Sequence, residues 1–192
     1  MIWAIGNGQS RKTINISSLQ DIKVGCNAIH RDYFTEHLIC VDRRMVNEAL
    51  DAQTGAMIYT RKDWHENYPK SKKLRLVPQL PYKGTERHDE PFHWGSGPYA
   101  VLLACKLDSD IHMLGFDLYG DNNKTNNIYK DTEHYNSSDK RAVDPRYWIY
   151  QIHKCMQIFH EHRFIVYAET DWKQPDIWKK SNVFVDKISN IM

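Results

Sequence analysis

The residues best suited to chemistry lie near the start of the chain, where a short apolar segment gives way to a glycine-rich turn. Residues 2–5 are apolar, and they are followed by Gly6-Asn7-Gly8-Gln9-Ser10. The glycines allow a tight turn that exposes backbone N–H groups, and the asparagine and serine add small polar side chains. Because turns at the carboxyl ends of strands in α/β sheets commonly hold phosphates, the segment indicates a nucleotide site. The alternative is a plain tight turn after a strand.

The turn matches neither of the two best-known phosphate-binding motifs. Arg11 occupies the position of the third glycine in Gly-x-Gly-x-x-Gly, and the Gly-Lys-Ser/Thr of a Walker A loop is absent. Support for a nucleotide site therefore depends on the segments that follow the turn.

Strand-like and helix-like segments alternate along the chain and would position this turn. Apolar runs predict strands at residues 2–5, 22–26, 37–41, 56–59, 74–77, 111–115 and 164–167. Helical spacing predicts helices at residues 43–52, 96–107 and 144–160, the second of them with Ser96 as its N-cap. The alternation predicts a single α/β domain over residues 1–192, Rossmann-like, with a mostly parallel sheet flanked by helices.

Two segments interrupt the alternation. Pro78, Pro81 and Pro91 predict a loop that runs to about residue 93. Residues 119–138 are polar, aromatic and irregular, which predicts a short, mobile, lid-like loop over the active-site edge.

Four polar residues lie at the carboxyl ends of predicted strands. Asn7, Asn27, Asp42 and Asp117 each stand at the carboxyl end of a strand, and in a parallel sheet these ends share one edge. Asparagine and aspartate are also common loop and helix-cap residues, which is the alternative explanation for any one of them. Four together, with the glycine-rich turn, favour a binding site at that edge.

The composition and charge of the chain bear on its partners and on its location in the cell. With a net charge of only +2, the protein lacks the strong positive potential that attracts nucleic acid, so no nucleic-acid partner is expected. The four cysteines lack Cys-x-x-Cys spacing and are predicted to be reduced thiols of a cytoplasmic protein. No apolar run approaches the ~20 residues of a transmembrane helix, and Met1 leads straight into the first strand without a signal peptide.

The ordered motifs resemble those of a known family. Gly6-Asn7-Gly8-Gln9-Ser10 with Lys12, then Cys26-Asn27, Ser96-Gly97 and Gly115-Phe116-Asp117-Leu118-Tyr119, resemble the bacterial sialyltransferases of the Campylobacter type. The same order of motifs is similar to that of a wider set of proteins related to archaeal hydroxymethylpterin diphosphokinases. The resemblance spans residues 1 to about 160.

The resemblance implies a metal-independent, inverting transfer of a sialic-acid-like sugar from a CMP-activated donor to a glycan or other hydroxyl acceptor, without a cofactor. It also suggests a homo-oligomer. The implied donor-binding residues are Asn7, Gly8, Ser10, Asn27, Asp42, Ser96, Gly97 and Asp117. The implied catalytic residues are Tyr119, which matches a tyrosine that hydrogen-bonds the departing phosphate, and Tyr129 as the second such tyrosine. His134 is the expected general base, because the pKa of histidine lies near neutral pH; a solvent-exposed loop histidine is the alternative.

The chain departs from the sialyltransferase pattern at two positions. Gln9 stands in place of a proline, and Asp42 stands in place of an asparagine. An acid at position 42 fits the diphosphokinase-like relatives better, in which Asp42 or Asp117 would hold Mg²⁺ with a nucleoside triphosphate. Two alternatives therefore remain open: a Mg²⁺-dependent diphosphokinase-like transferase, and a catalytically inactive nucleotide-binding or interaction module.

Overall fold

The computed structural model describes residues 1–68, 70–80 and 94–191 of the chain. Its helices are α1 (Arg43–Asp51), α2 (Lys62–His65), α3 (Ser96–Leu107) and α4 (Arg146–Ile158). Its strands are β1 (Ile2–Ile5), β2 (Ile22–Cys26), β3 (His37–Ile39), β4 (Met57–Thr60), β5 (Leu74–Leu76), β6 (Asp110–Leu114), β7 (Arg163–Ala168) and β8 (Val183–Lys187). These strands form one sheet in the order β5-β4-β3-β2-β1-β6-β7-β8, and every pairing is parallel.

The predicted Rossmann-like α/β fold with a parallel sheet is thereby confirmed. β1 lies in the middle of the sheet, with Ile2 opposite Ile22 on β2 and opposite Ile111 on β6. The chain builds the sheet outward from β1 to β5 and then returns to the other side of β1 to continue with β6. This reversal of strand order beside β1 is the place where open α/β sheets bind ligands.

Helices cover both faces of the sheet, so the central strand is buried on each side. Ile2 and Ala4 of β1 pack into the core beneath α3 and α4, whereas Trp3 and Ile5 pack into the opposite core with α1. Burial on both faces explains why β1 is a continuous apolar run rather than an alternating one. Residue 98 to residue 105 of α3 are all buried, because this helix lies between the sheet and α4.

Several sequence predictions need correction. The strand at residues 164–167 is not the last one, because β8 pairs with β7 at the edge of the sheet. β8 was missed because Phe184 and Val185 are both exposed, so the strand lacks the alternation that marks a half-buried strand. Ser96 is not the N-cap of α3 but its first residue, and Gly95 occupies the cap position.

The two segments predicted to interrupt the alternation of strands and helices are described to different extents. Most of the predicted proline-rich loop, including Pro81 and Pro91, lies outside the described residues. Residues 119–138 form a series of turns that contact the glycine-rich turn, with the N–H of Ile128 donating to the carbonyl of Asn7 at 2.8 Å. No helix in the described part of the chain combines the length and the apolar character needed to cross a membrane.

Candidate functional site

A cavity of about 320 Å³ lies at the carboxyl edge of the sheet, where β1, β2, β3 and β6 end and α3 begins; we call it the strand-end cavity. Parallel pairing brings these ends together, although they are far apart in sequence. Seven of the eight residues predicted to bind the donor line this cavity: Asn7, Gly8, Asn27, Asp42, Ser96, Gly97 and Asp117. The eighth, Ser10, lines a neighbouring cleft instead.

The N-terminus of α3 opens into the strand-end cavity without a side-chain cap. Gly95 has no side chain to accept a hydrogen bond, and its own N–H donates to the Gln151 side chain at 3.3 Å. Within the described residues, the N–H groups of Ser96 and Gly97 have no acceptor. Uncapped N–H groups at the positive end of a helix dipole are suited to bind an anion.

Asn27 contributes a third donor to the same cavity. Its backbone adopts a left-handed conformation with φ of 51°, which brings its side chain beside α3. The Asn27 Oδ1 accepts a hydrogen bond from Ser96 Oγ at 2.8 Å, and Ser96 Oγ in turn accepts from the N–H of Val41 at 3.2 Å. Within the described part of the chain, the Nδ2 of Asn27 has no acceptor, so it is available to a ligand.

Asn7 has a different role from the one its position suggested. Its side chain is turned inward, where Nδ2 donates to the carbonyl of Cys26 at 3.1 Å and to the Tyr135 hydroxyl at 3.4 Å. Its Oδ1 accepts from the guanidinium of Arg11 at 3.2 Å. Because both polar atoms of its side chain are occupied, Asn7 ties the end of β1 to the end of β2 and positions the turn.

Arg11 is a buried cation directly beneath the glycine-rich turn, and only 2% of it is exposed. Its Nε donates to the carbonyl of Gly6 at 2.7 Å, and its Nη2 donates to Asn7 and to the Tyr129 hydroxyl. In the described part of the chain, no carboxylate lies within 4.0 Å of this guanidinium. A buried charge without a counter-ion is costly, and it creates a positive potential that favours an anion nearby.

Two acidic side chains border the strand-end cavity, and both have partners. Asp117 accepts hydrogen bonds from the N–H of Ser10 at 2.9 Å and from the Ser10 hydroxyl. Asp42 caps α1 by accepting from the N–H of Arg44 at 2.9 Å. The hydrogen bond from the Arg44 guanidinium holds the pKa of Asp42 below its ordinary value, and the nearby His134 acts in the same direction.

Gly8 is required because the Asp117 carboxylate lies against it. A Cβ added at position 8 would stand 2.3 Å from Asp117 Oδ1, which is far closer than atoms can approach. The carboxylate therefore reaches Ser10 only because residue 8 has no side chain. The glycine-rich turn and the segment after β6 thus form one connected structure.

The three predicted catalytic residues are not together. Tyr119 is 36% exposed and lines two cavities that adjoin the strand-end cavity. Tyr129 is buried, its hydroxyl accepts from Arg11, and burial raises its pKa. His134 lies near Glu48, with its Nε2 3.9 Å from Glu48 Oε2. Neither Tyr129 nor His134 is among the described residues that line the strand-end cavity or these two adjoining cavities.

Sequence reasoning missed Tyr135, Asn126 and Trp172. The Tyr135 hydroxyl accepts from Asn7 and from the N–H of Ala28, and burial raises its pKa. Asn126 accepts from the N–H of Gln9 at 2.9 Å and lines all three cavities at this edge. No local motif marks these side chains, since each one reaches the site from a distant segment.

A second, larger cavity of about 800 Å³ lies beside the strand-end cavity, at the ends of β6 and β7; we call it the β6–β7 cleft. Phe116, Asp117 and Asn126 line both cavities and form the boundary between them. In the wall of the cleft, the Nε1 of Trp172 donates to the backbone carbonyl of Asp117 at 2.9 Å. The two cavities are therefore adjacent and share part of their lining.

Comparisons of the chain with protein-family models, with curated proteins and with solved structures find no match. Among the described residues, no group of three or more His, Cys, Asp or Glu side chains is arranged to hold a metal ion. The groups at the strand-end cavity that are suited to hold a ligand are backbone N–H groups and one amide, with a buried guanidinium behind them.

Proposed function

We propose that the strand-end cavity binds the phosphate of a nucleotide and that the protein transfers a sugar from a CMP-activated donor to a hydroxyl acceptor. The observation that carries this proposal is the N-terminus of α3, which has no side-chain cap, beside the Nδ2 of Asn27, which has no acceptor among the described residues. Arg11 supports it, because no carboxylate of the described residues lies within 4.0 Å of this buried cation, and an anion in the cavity would supply a counter-charge.

The same arrangement would assist a transfer reaction. When the bond between the anomeric carbon and the phosphate oxygen breaks, negative charge develops on the departing phosphate. Fixed N–H donors that point at this charge stabilise the transition state, and the loss of one such donor typically costs about 3 kcal/mol. The N–H groups of Ser96 and Gly97 and the Nδ2 of Asn27 are suited to this role. His134 stands outside the cavity wall, so we assign it no step in the transfer.

A second candidate function is favoured by one observation. Asp42 and Asp117 both line the strand-end cavity, and two carboxylates are suited to a Mg²⁺-bound triphosphate. A diphosphokinase-like transferase would use them in this way.

The experiment that separates these functions is thermal unfolding with CMP, CDP, CTP, UDP, GDP and ATP, each with Mg²⁺ and with EDTA. A ligand at one hundred times its Kd stabilises the folded state by about 2.7 kcal/mol, which is readily measured. We expect CMP and CDP to raise the Tm equally in Mg²⁺ and in EDTA. Stabilisation only by a triphosphate with Mg²⁺ would replace the proposal with the diphosphokinase alternative. The absence of any shift would reject nucleotide binding and leave an interaction module.

A further inference from the structure

The charged side chains of the β6–β7 cleft are mainly acidic. Among the described residues that line it, the charged ones are four acids and a single base: Asp117, Asp121, Glu169, Asp171 and Lys173. None of the four carboxylates has a cationic side chain within 4.0 Å among the described residues. The cleft therefore presents an excess of negative charge, which repels acidic ligands and attracts cations.

Aromatic rings form part of the wall of the same cleft. Trp172 is held in place by its hydrogen bond to the carbonyl of Asp117 and by the buried Trp178, whose ring centroid is 6.2 Å away. Tyr119 presents a partly exposed ring to the cleft. Aromatic rings bind the apolar faces of sugars and attract ammonium groups, while carboxylates and amides accept hydrogen bonds from hydroxyls.

The position of the cleft connects it to the proposed transfer. Asp117 borders both the strand-end cavity and the β6–β7 cleft, so ligands in either cavity would lie next to this residue. The carboxylate is fixed by two hydrogen bonds from Ser10, and its remaining lone pairs have no donor among the described side chains. It is therefore placed to receive a proton.

We infer that the β6–β7 cleft binds the acceptor, that the acceptor is an amino sugar, and that Asp117 takes the proton of its attacking hydroxyl. This inference rests on the proposed function for the identity of the donor. The acceptor oxygen forms a bond to the anomeric carbon as its proton passes to the Asp117 carboxylate. The bond from the anomeric carbon to the phosphate oxygen breaks, and its electron pair leaves with CMP. The proton on Asp117 then returns to solvent through the open cleft.

Binding of matched sugars tests the location and the ligand class. We expect glucosamine, with its amine protonated, to bind about tenfold more tightly than glucose, and glucuronate not to bind, as measured by ligand-observed NMR. Trp172→Ala should abolish this binding and leave the CMP-induced Tm shift unchanged; Tyr119→Ala is the second variant if the first does not fold. Equal binding of all three sugars, preferential binding of glucuronate, or binding unaffected by these variants would overturn the inference.

Transfer kinetics test Asp117. With CMP-N-acetylneuraminate as donor and glucosamine as acceptor, Asp117→Asn should lower kcat at least a hundredfold, because general-base catalysis contributes at least this much. Its CMP-induced Tm shift should persist, which separates loss of the base from loss of the fold. Asp51→Asn makes the same charge change on α1 and should retain the wild-type rate. Normal turnover by Asp117→Asn would remove the assignment. A wild-type protein that binds glucosamine but shows no CMP shift would instead refute the proposed function alone.

Discussion

The placement of the phosphate at α3 can be tested by adding one negative charge where the phosphate should lie. Gly97 is in the first turn of α3 and lines the strand-end cavity. A Cβ at this position would stand 3.4 Å from Phe116 Cε1, an ordinary van der Waals contact, so a side chain can be accommodated. Gly97→Asp and Gly97→Asn differ by a single charge and have almost the same shape, which makes the asparagine variant the matched control.

Relative to the asparagine variant, the aspartate variant should be at least as stable and should bind CMP more weakly. A carboxylate in the first turn interacts favourably with the helix dipole by about 0.3–1 kcal/mol, so the Asp variant should be at least as stable as the Asn variant without ligand. A phosphate at about 5 Å from the new carboxylate would be repelled by about 0.8 kcal/mol in a water-like dielectric and by about 3.3 kcal/mol at an effective dielectric constant of 20. These energies correspond to a Kd for CMP that is about 4-fold to about 250-fold weaker.

The assay is calorimetric titration of both variants with CMP, together with their Tm values without ligand. Weaker binding by the Asp variant at an equal or higher unliganded Tm would support the placement. Equal affinity of the two variants, with the Asn variant still binding CMP as the wild type does, would refute the reasoning, because a phosphate at this helix end must respond to the added charge. If both variants lost binding to the same extent, the cause would be the side chain's volume rather than its charge.

Three further predictions concern groups around the site. Arg11→Met leaves the carbonyl of Gly6 and its other acceptors without their donor, so it should lower the free energy of unfolding by about 2–3 kcal/mol and weaken CMP binding; an unchanged urea midpoint would contradict this. The hydrogen bond from Arg31 lowers the pKa of Glu48, so this pair stabilises the protein above the ordinary pKa of 4.5 and the contribution disappears as the pH falls through the folded-state pKa. Wild type should therefore lose more stability than Glu48→Gln between about pH 7 and about pH 3, and parallel losses in urea denaturation would argue against it. All four cysteines are free and buried, and burial raises the pKa of Cys26 to about 12, so none should react with a thiol reagent at about pH 8 until the protein unfolds. A thiol that reacts in the folded protein would show that one of these positions is open to solvent.

The sequence was most informative where local pattern and parallel topology agree. Asn7, Asn27, Asp42 and Asp117 follow four strands, and parallel pairing alone places the ends of those strands at one edge. The four residues do line one cavity, as this argument requires. The sequence did not predict which of their polar atoms already have partners. The Asn7 side chain is hydrogen-bonded to Arg11, Cys26 and Tyr135, whereas the Nδ2 of Asn27 has no acceptor in the described part of the chain.

The features that were missed depend on contacts between distant segments. Arginine is usually a surface residue, and Arg11 is followed by the basic Lys12. The guanidinium of Arg11 is nevertheless buried by Tyr129 and by the glycine-rich turn. Trp172 reaches Asp117 from the segment after β7, and no spacing in the sequence relates the two. The β6–β7 cleft could not be predicted for the same reason, since its walls come from several separate segments.

The central position of β1 has a consequence for how the protein is made. During synthesis, β2 to β5 follow β1 and can add to the sheet in the order in which they emerge. The other neighbour of β1 is β6, whose Ile111 lies opposite Ile2, so a nascent chain exposes one edge of β1 until β6 has been made. Pairing across so long an interval is slow because a large loop must be closed first. The strand-end cavity also needs α3 and the segment after β6, so ligand could be captured only after these segments had emerged, and a growing chain would be most exposed to misassembly before that moment.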